Sequence, residues 1–370
     1  GTLTLGGNVS YSATGTPLGA TVAGKLSLGS AARTFDVADS STAPNDLTVS
    51  AVISSGSTAA TLTKANTGVL VLSGANTYTG ATLVTGGTLS VGSLNSVVSG
   101  TASSNLGAPT TVGDGTIKIG STTTAGALLY TGGGETTDRV IDLAGTTGGV
   151  TLDQSGTGTL NFTSNLTATG AGAKTLTLQG STVGVGQLSG VIVDNGGANT
   201  TGVTKAGTGT WALSGTNTYT GATTVNAGTL RLGASGTLPS ASAVTVSGST
   251  GVTGTLDLNG FNQTLTNVLT LGGASTTSGA SVVTGAGTLT VNGGVTYNAT
   301  GNPLGATVAG NLALGTAART FTVNDSTTVA NDLTVSAVIS GGGTAATLTK
   351  TGAGVLVLSG ANTYTGATLV

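Results

Sequence analysis

Apolar residues in this chain alternate with polar or small ones over short runs, which is the period of two expected of a strand with one buried face. Such runs include TLTL at 2–5, KLSL at 25–28, RTFDV at 33–37, LTVSAVI at 47–53, TLTL at 175–178 and VLTL at 268–271. Gly-Gly, Ser-Gly, Asn-Asp and Gly-Ala-Asn punctuate them, as tight turns between strands require, and no stretch of 11 or more residues carries helical spacing. The pattern predicts many short strands and no helix longer than two turns.

The strands recur at long range. Residues 1–84 align without a gap to 287–370, with 65 of the 84 positions identical. A shorter motif occurs three times, as LTKANTGVLVLSGANTYTGATLVTGGTLSVGS at 62–93, VTKAGTGTWALSGTNTYTGATTVNAGTLRLGA at 203–234 and LTKTGAGVLVLSGANTYTGATLV at 348–370. Its lysines, Lys64, Lys205 and Lys350, lie 141 and then 145 residues apart, so the 286-residue period is two related half-units. The organisation expected is one repeat unit over 1–286, with half-units at about 1–145 and 146–286, and the start of the next unit over 287–370. The chain stops inside a motif, so it is expected to be a window on a longer continuous solenoid without linkers, with any targeting segment outside it.

Comparing the copies assigns faces. Leu70 and Leu72 become Trp211 and Leu213, while Val69 and Val71 become Thr210 and Ala212, so the Leu/Trp side is the one held apolar. Leu89 and Val91 match Leu230 and Leu232 in the same way, which turns Ser90 and Arg231 outward.

Composition narrows the architecture. Of 370 residues 66 are Gly and only 6 % are charged, against about 7 % Gly and 25 % charge in an average domain. Aromatics make up 3 %, so Val, Leu, Ile, Ala and Thr methyls must fill the core, a choice that favours strands. A mean hydropathy of +0.33 and a net charge of −2 argue against disorder. No Pro-rich or charged linker separates domains of sandwich size, whereas a solenoid tolerates small residues, corner glycines and few aromatics because each rung packs only on its neighbours. The fold class expected is all-β, a parallel β-solenoid.

At this point the motif LTKxGxGxLxLSGxNTYTGxTxVxxGTLxV resembles the passenger-associated repeat of autotransporters, also called the autotransporter-associated β-strand repeat. Residues 138–180 are similar to the spacer regions of giant bacterial surface repeat proteins. The resemblance implies a right-handed parallel β-helix outside a Gram-negative-type cell, displayed as an adhesin, stalk or matrix component, and implies no enzymatic activity.

Candidate chemistry is sparse. There is no His and no Cys, one Glu (Glu135) and eleven Asp, scattered along the chain, and two charges of the first copy, Lys25 and Asp36, are Asn311 and Thr322 in the second. A β-helix lyase or hydrolase needs two or three converging acidic groups, so no catalytic residue is assigned and no cofactor or metal is expected. GDGTIKIG at 113–120 occurs once, where a calcium-binding β-roll needs tandem copies. The recurring charges Arg33, Asp39 and Asp46, repeated as Arg319, Asp325 and Asp332, are the one candidate charged site. The competing reading gives Asp46 and Asp332 a turn-closing role at the start of NDLTV and leaves Arg33 and Asp39 as an exposed ion pair. Lys64, Lys205 and Lys350 are read as solvated strand-end side chains with their stems along the surface, or as contacts for an anionic glycan. Asn76, Asn217 and Asn362, with Tyr78, Tyr219 and Tyr364, are read as stacked braces of a corner, or as a carbohydrate platform.

The balance of 10 basic and 12 acidic residues gives no footprint for nucleic acid, and no apolar run reaches the roughly 18 residues of a membrane span. The partners expected are other copies, end to end or side by side in a fibre or layer, and surface glycans. The function expected is a structural component of an extracellular fibre, stalk or layer. A glycan- or host-binding adhesin is the alternative, with a polysaccharide-degrading enzyme third.

Overall fold

The computed structural model describes residues 1–15, 18–98, 103–180, 184–273, 277–300, 304–342 and 345–370. The chain forms two compact units, Gly1–Thr201 and Gly202–Val370, and together they contain about 13 turns of a parallel β-solenoid. Every named strand pair is parallel, so each returns to the sheet one turn later beside its predecessor. Among the described residues one short helix, Val112–Gly115, interrupts the strands, capped by the Thr111 hydroxyl, which accepts from the Asp114 amide. No helix in them is long and apolar enough to cross a membrane.

In the first unit the sheet that carries the motif runs through Leu47–Val49, Val69–Leu72, Gly87–Val91, Gly126–Tyr130, Val150–Gln154 and Lys174–Gln179. Its register places Leu47, Leu70, Leu89, Leu128, Leu152 and Leu178 in one inward column. All six are buried, so identical side chains on successive rungs pack against one another and remove an apolar row from water at about 25 cal/mol per Å². Successive rungs of that column differ in length, from Leu70 to Leu89 and then from Leu89 to Leu128, because the longer one includes an excursion between residues 92 and 111, described over 92–98 and 103–111.

The second unit repeats the plan. Trp211 stacks on Leu230, Leu256, Val282, Val308 and Val335 as an inward column, each fully buried. Only glycine suits the corners that start these strands. Gly87 and Gly228 both have φ of +62°, and a Cβ on either would meet two backbone carbonyls within about 2.6 Å.

The inward assignment of Leu70, Leu72, Leu89, Val91, Trp211, Leu213, Leu230 and Leu232 holds, with all eight buried. Arg231 is outward and half-exposed, paired with Asp257 on the next rung at 2.9 Å. Ser90 is a correction. Although it points away from the Leu column, it is only 5 % exposed, because the register sets it between Val71 and Leu129, whose larger side chains shield its short one.

Candidate functional site

The recurrent motif builds the same internal device at two of its three copies. Leu62 is buried in the strand Leu62–Ala65, so the alternation that buries it also turns Lys64 inward. Lys64 stands in the column between Phe35 and Val84 and is fully buried. Its Nζ donates to the carbonyls of Ala65 at 2.9 Å, Asn66 at 2.7 Å and Gly86 at 3.1 Å. Lys205, also fully buried, donates to Ala206 at 2.5 Å, Gly207 at 2.9 Å and Ala227 at 3.0 Å, the same three positions displaced by 141 residues. Burial disfavours the charged form and holds both lysines down at about 8, with Asp36 and Asp46 partly offsetting this at Lys64. Lys350 is half-buried and donates to Gly352 at 2.8 Å. The surface reading of Lys64 and Lys205 is therefore wrong, since an inward strand position leaves an ammonium no route to solvent and the corner carbonyls accept its hydrogen bonds instead. Lys174, buried in its strand, does likewise with the carbonyls of Gly145 and Ala171.

The tyrosines are core residues. Tyr78 and Tyr219 are wholly buried, and their hydroxyls pair with Thr82 Oγ1 at 2.8 Å and Thr223 Oγ1 at 2.7 Å. Burial pushes the Tyr78 phenol up to about 12 and the Tyr219 phenol upward as well. Tyr364, half-buried, makes the equivalent bond to Thr368 at 2.7 Å. A buried ring offers no face to a sugar, so Tyr78 and Tyr219 are not a carbohydrate platform. The asparagines brace the corner through the backbone rather than by stacking on one another. Asn76 Oδ1 accepts from the Ile53 amide at 2.7 Å and its Nδ2 donates to the Asn105 carbonyl at 2.7 Å, which ties three levels of chain together. Asn217 Nδ2 donates to Thr237 O at 3.0 Å, and the exposed Asn362 accepts from the Ile339 amide at 2.9 Å.

The recurring charges do not converge. Asp46 is fully buried, its two oxygens accepting from the amides of Ser40 and Val69, each at 2.7 Å. Asp332 repeats this with Ser326 and Val355 at the same distance. Arg33 donates to the carbonyls of Leu28 at 2.9 Å and Leu5 at 2.7 Å, while Asp39 is exposed, and Arg231–Asp257 is the one ion pair among the described residues. The exposed Arg33–Asp39 pair is thus not formed, because carbonyls within reach satisfy the guanidinium. Arg319 differs from Arg33 because Asn292 stands where the first copy has Gly6. Its Nη2 goes to Asn292 Oδ1 at 3.1 Å, its Nη1 to the Ala318 carbonyl at 3.1 Å, and Nε is left without a partner, while Asp325 is exposed like Asp39.

A second polar cluster escaped the sequence reading. Glu135 accepts from the amides of Leu94 at 2.7 Å and Asn95 at 2.9 Å, and Asp138 from those of Val97 at 2.5 Å and Val98 at 2.8 Å. Arg139, 2 % exposed, donates to the carbonyls of Leu94 at 2.8 Å and Leu106 at 3.0 Å. These three side chains fasten the 92–111 excursion to the rung that follows. The signal was their clustering in ETTDR, in a chain where charge is otherwise rare.

The described residues include two open hollows. One of about 470 Å³ is lined by uncharged residues including Asn217, Asn262 and Gln263, and one of about 340 Å³ by Thr14, Asp39, Ser40, Ser41 and Thr42, with Asp39 as its sole carboxylate. Hydrolysis by paired carboxylates needs a second acid that neither provides. Among the described residues no three His, Cys, Asp or Glu side chains group as metal ligands.

The passenger-associated-transport-repeat family matches the chain at residues 62–91, 203–232 and 348–370, so the chain carries this repeat in three places. Over 148 residues it is 37 % identical to the adhesin BmaC autotransporter of Brucella suis biovar 1 (strain 1330), an alignment covering 39 % of this chain and 4 % of that protein. No solved structure matches.

Proposed function

We propose that the chain is a stretch of the exported passenger of an autotransporter-type protein on a Gram-negative cell surface, and that it serves there as a structural β-solenoid spacer without enzymatic activity. One observation carries this reading. The side chains that define the repeat, Lys64, Lys205, Asn76, Tyr78 and Tyr219, are turned into the fold and spent on corner carbonyls, amides and hydroxyls, leaving none of them to contact a ligand. Repetition then multiplies rungs rather than binding sites. The similarity to the Brucella adhesin favours a second reading, in which this stretch itself adheres.

The test places the chain between a surface anchor and an epitope on a bacterial cell, then measures the height of the epitope above the membrane and the binding of the purified chain to glycan arrays and to animal cells. The spacer reading expects a raised epitope with binding at background. Saturable binding to a defined glycan or cell would establish the adhesive reading, and release of sugar ends from a polysaccharide would overturn both.

A further inference from the structure

The outward face of one sheet in the second unit is a column of threonines. The register aligns Thr204 with Thr224, Thr224 with Thr245, Thr245 with Thr270 and Thr270 with Thr296 on successive strands. It continues through Thr322 to Thr351. The hydroxyls from Thr204 to Thr296 bond to no other described residue, whereas those of Thr322 and Thr351 pair with each other at 3.0 Å. Beside the column the exposed side chains of Ala222, Ala243 and Val268 add methyl groups, and none of these residues is charged.

The two near-identical segments differ at 84 − 65 = 19 positions. Three of those differences fall on this column, and at each the second copy has threonine: Ser10 against Thr296, Asp36 against Thr322 and Ala65 against Thr351. In the first copy Asp36 sets a charge in the middle of the row, and two such faces brought together would oppose like charges. In the second copy that obstacle is gone.

We propose that this threonine-lined face of residues 202–370 docks laterally against the same face of a second copy of the chain. A partner that meets every threonine must repeat at the rung spacing of about 4.8 Å, and an extended peptide, advancing about 3.3 Å per residue, falls out of step within a few rungs. A second copy has the matching period by construction. Threonine is held in few rotamers on a strand, so little side-chain freedom is lost, and methyls and unbonded hydroxyls suit a neutral, self-complementary contact. Seven rungs span about 29 Å and three outward residues about 13 Å, giving roughly 400 Å² per copy, or about 800 Å² in all. That is below the about 1,200 Å² of a standard interface, so one pair of units associates weakly and tandem units add through multivalency.

This goes beyond the spacer reading and does not rest on it. Sedimentation equilibrium of the whole chain over increasing concentration is the test, with the double substitution Thr245→Lys, Thr270→Lys on the column and Thr229→Lys, Thr255→Lys on the other outward hydroxyl row as control. The mass should rise with concentration for the parent and the control, while the column variant stays monomeric with unchanged circular dichroism. Should that variant fail to fold, Thr270→Cys replaces it. The chain has no cysteine, and in a two-fold pair the fourth of seven rungs faces its own copy, so a short thiol-to-thiol linker should give a covalent dimer there but not with Thr229→Cys. A parent that remains monomeric at millimolar concentration, lysine variants that associate like the parent, or a monomer whose column instead shapes growing ice would each overturn the proposal. None of these outcomes bears on whether the chain is a spacer, which the epitope-height and array measurements decide.

Discussion

The ammonium of Lys64 meets the carbonyl of Gly86 at 3.1 Å, 22 residues further on, so one side chain closes a corner of its own rung and fastens it to the next. The interaction is paid for in desolvation, and the lysine is held near 8 instead of its ordinary 10.5. Between about pH 8 and 10.5 the unfolded chain therefore binds more protons than the folded one, and stability rises with pH across that window. Tyr78 works in the opposite sense, since its phenol is raised to about 12 and the folded state loses stability once the unfolded phenol ionises above about 10. The midpoint of thermal unfolding should therefore climb from pH 7 to a maximum near pH 9 to 10 and then decline, as followed by circular dichroism. In the double substitution Lys64→Met, Lys205→Met the climb should shrink, leaving what the buried Lys174 contributes, and a rise of unchanged size would show that these ammonium groups are not desolvated.

Tyr78→Phe removes a buried hydroxyl bonded to Thr82 and leaves Thr82 without that partner. It should cost about 1–2 kcal/mol in denaturant unfolding, whereas Tyr78→Ala, which also opens a cavity, should cost about 3–5 kcal/mol. Tyr364→Phe, at a half-buried site, should cost less than Tyr78→Phe.

Asp46 holds two amides with two oxygens, so Asp46→Asn sets an amide nitrogen against a backbone donor and should destabilise by about 2 kcal/mol. Asp332→Asn should do the same, because Ser326 and Val355 are held in the same way. Gly68→Ala should also destabilise, since its Cβ would lie 2.5 Å from the Ala38 carbonyl and 2.8 Å from Asp46 Oδ2. Asp39→Asn, at an exposed carboxylate, should change the melting temperature little.

The carboxylate and guanidinium grip on the 92–111 excursion should show in proteolysis. Glu135→Gln and Arg139→Leu should speed cleavage between residues 92 and 111 several-fold, with the fragments read by mass spectrometry, because each breaks bonds to buried or half-buried backbone. Cleavage at the parental rate would mean that the excursion is held by other contacts.

Strand existence and facing were legible because period two and the Leu/Trp exchanges between copies report the same buried side. The lysines were misread for a reason internal to that logic. The phase set by Leu62 places Lys64 inside, but a strand-end lysine before a turn reads as a solvated one, and the carbonyl cage that offsets the cost of burying its ammonium exists only once a corner has folded. The turn-closing role written into NDLTV has its counterpart in the amides held by Asp46, whereas Ser90 shows that an outward position can still be covered by longer neighbours across the register. The Glu135 and Arg139 contacts join residues about 40 apart, and nothing in local sequence specifies a pairing of that range.

Because Thr82 to Val84 pair in register with Leu62 to Lys64, and the same residue types stand at 368–370 and 348–350, the two near-identical segments are interchangeable rung for rung. A duplication or deletion with its ends at corresponding positions of the two segments would therefore add or remove 286 residues, joining strand to strand without a broken corner.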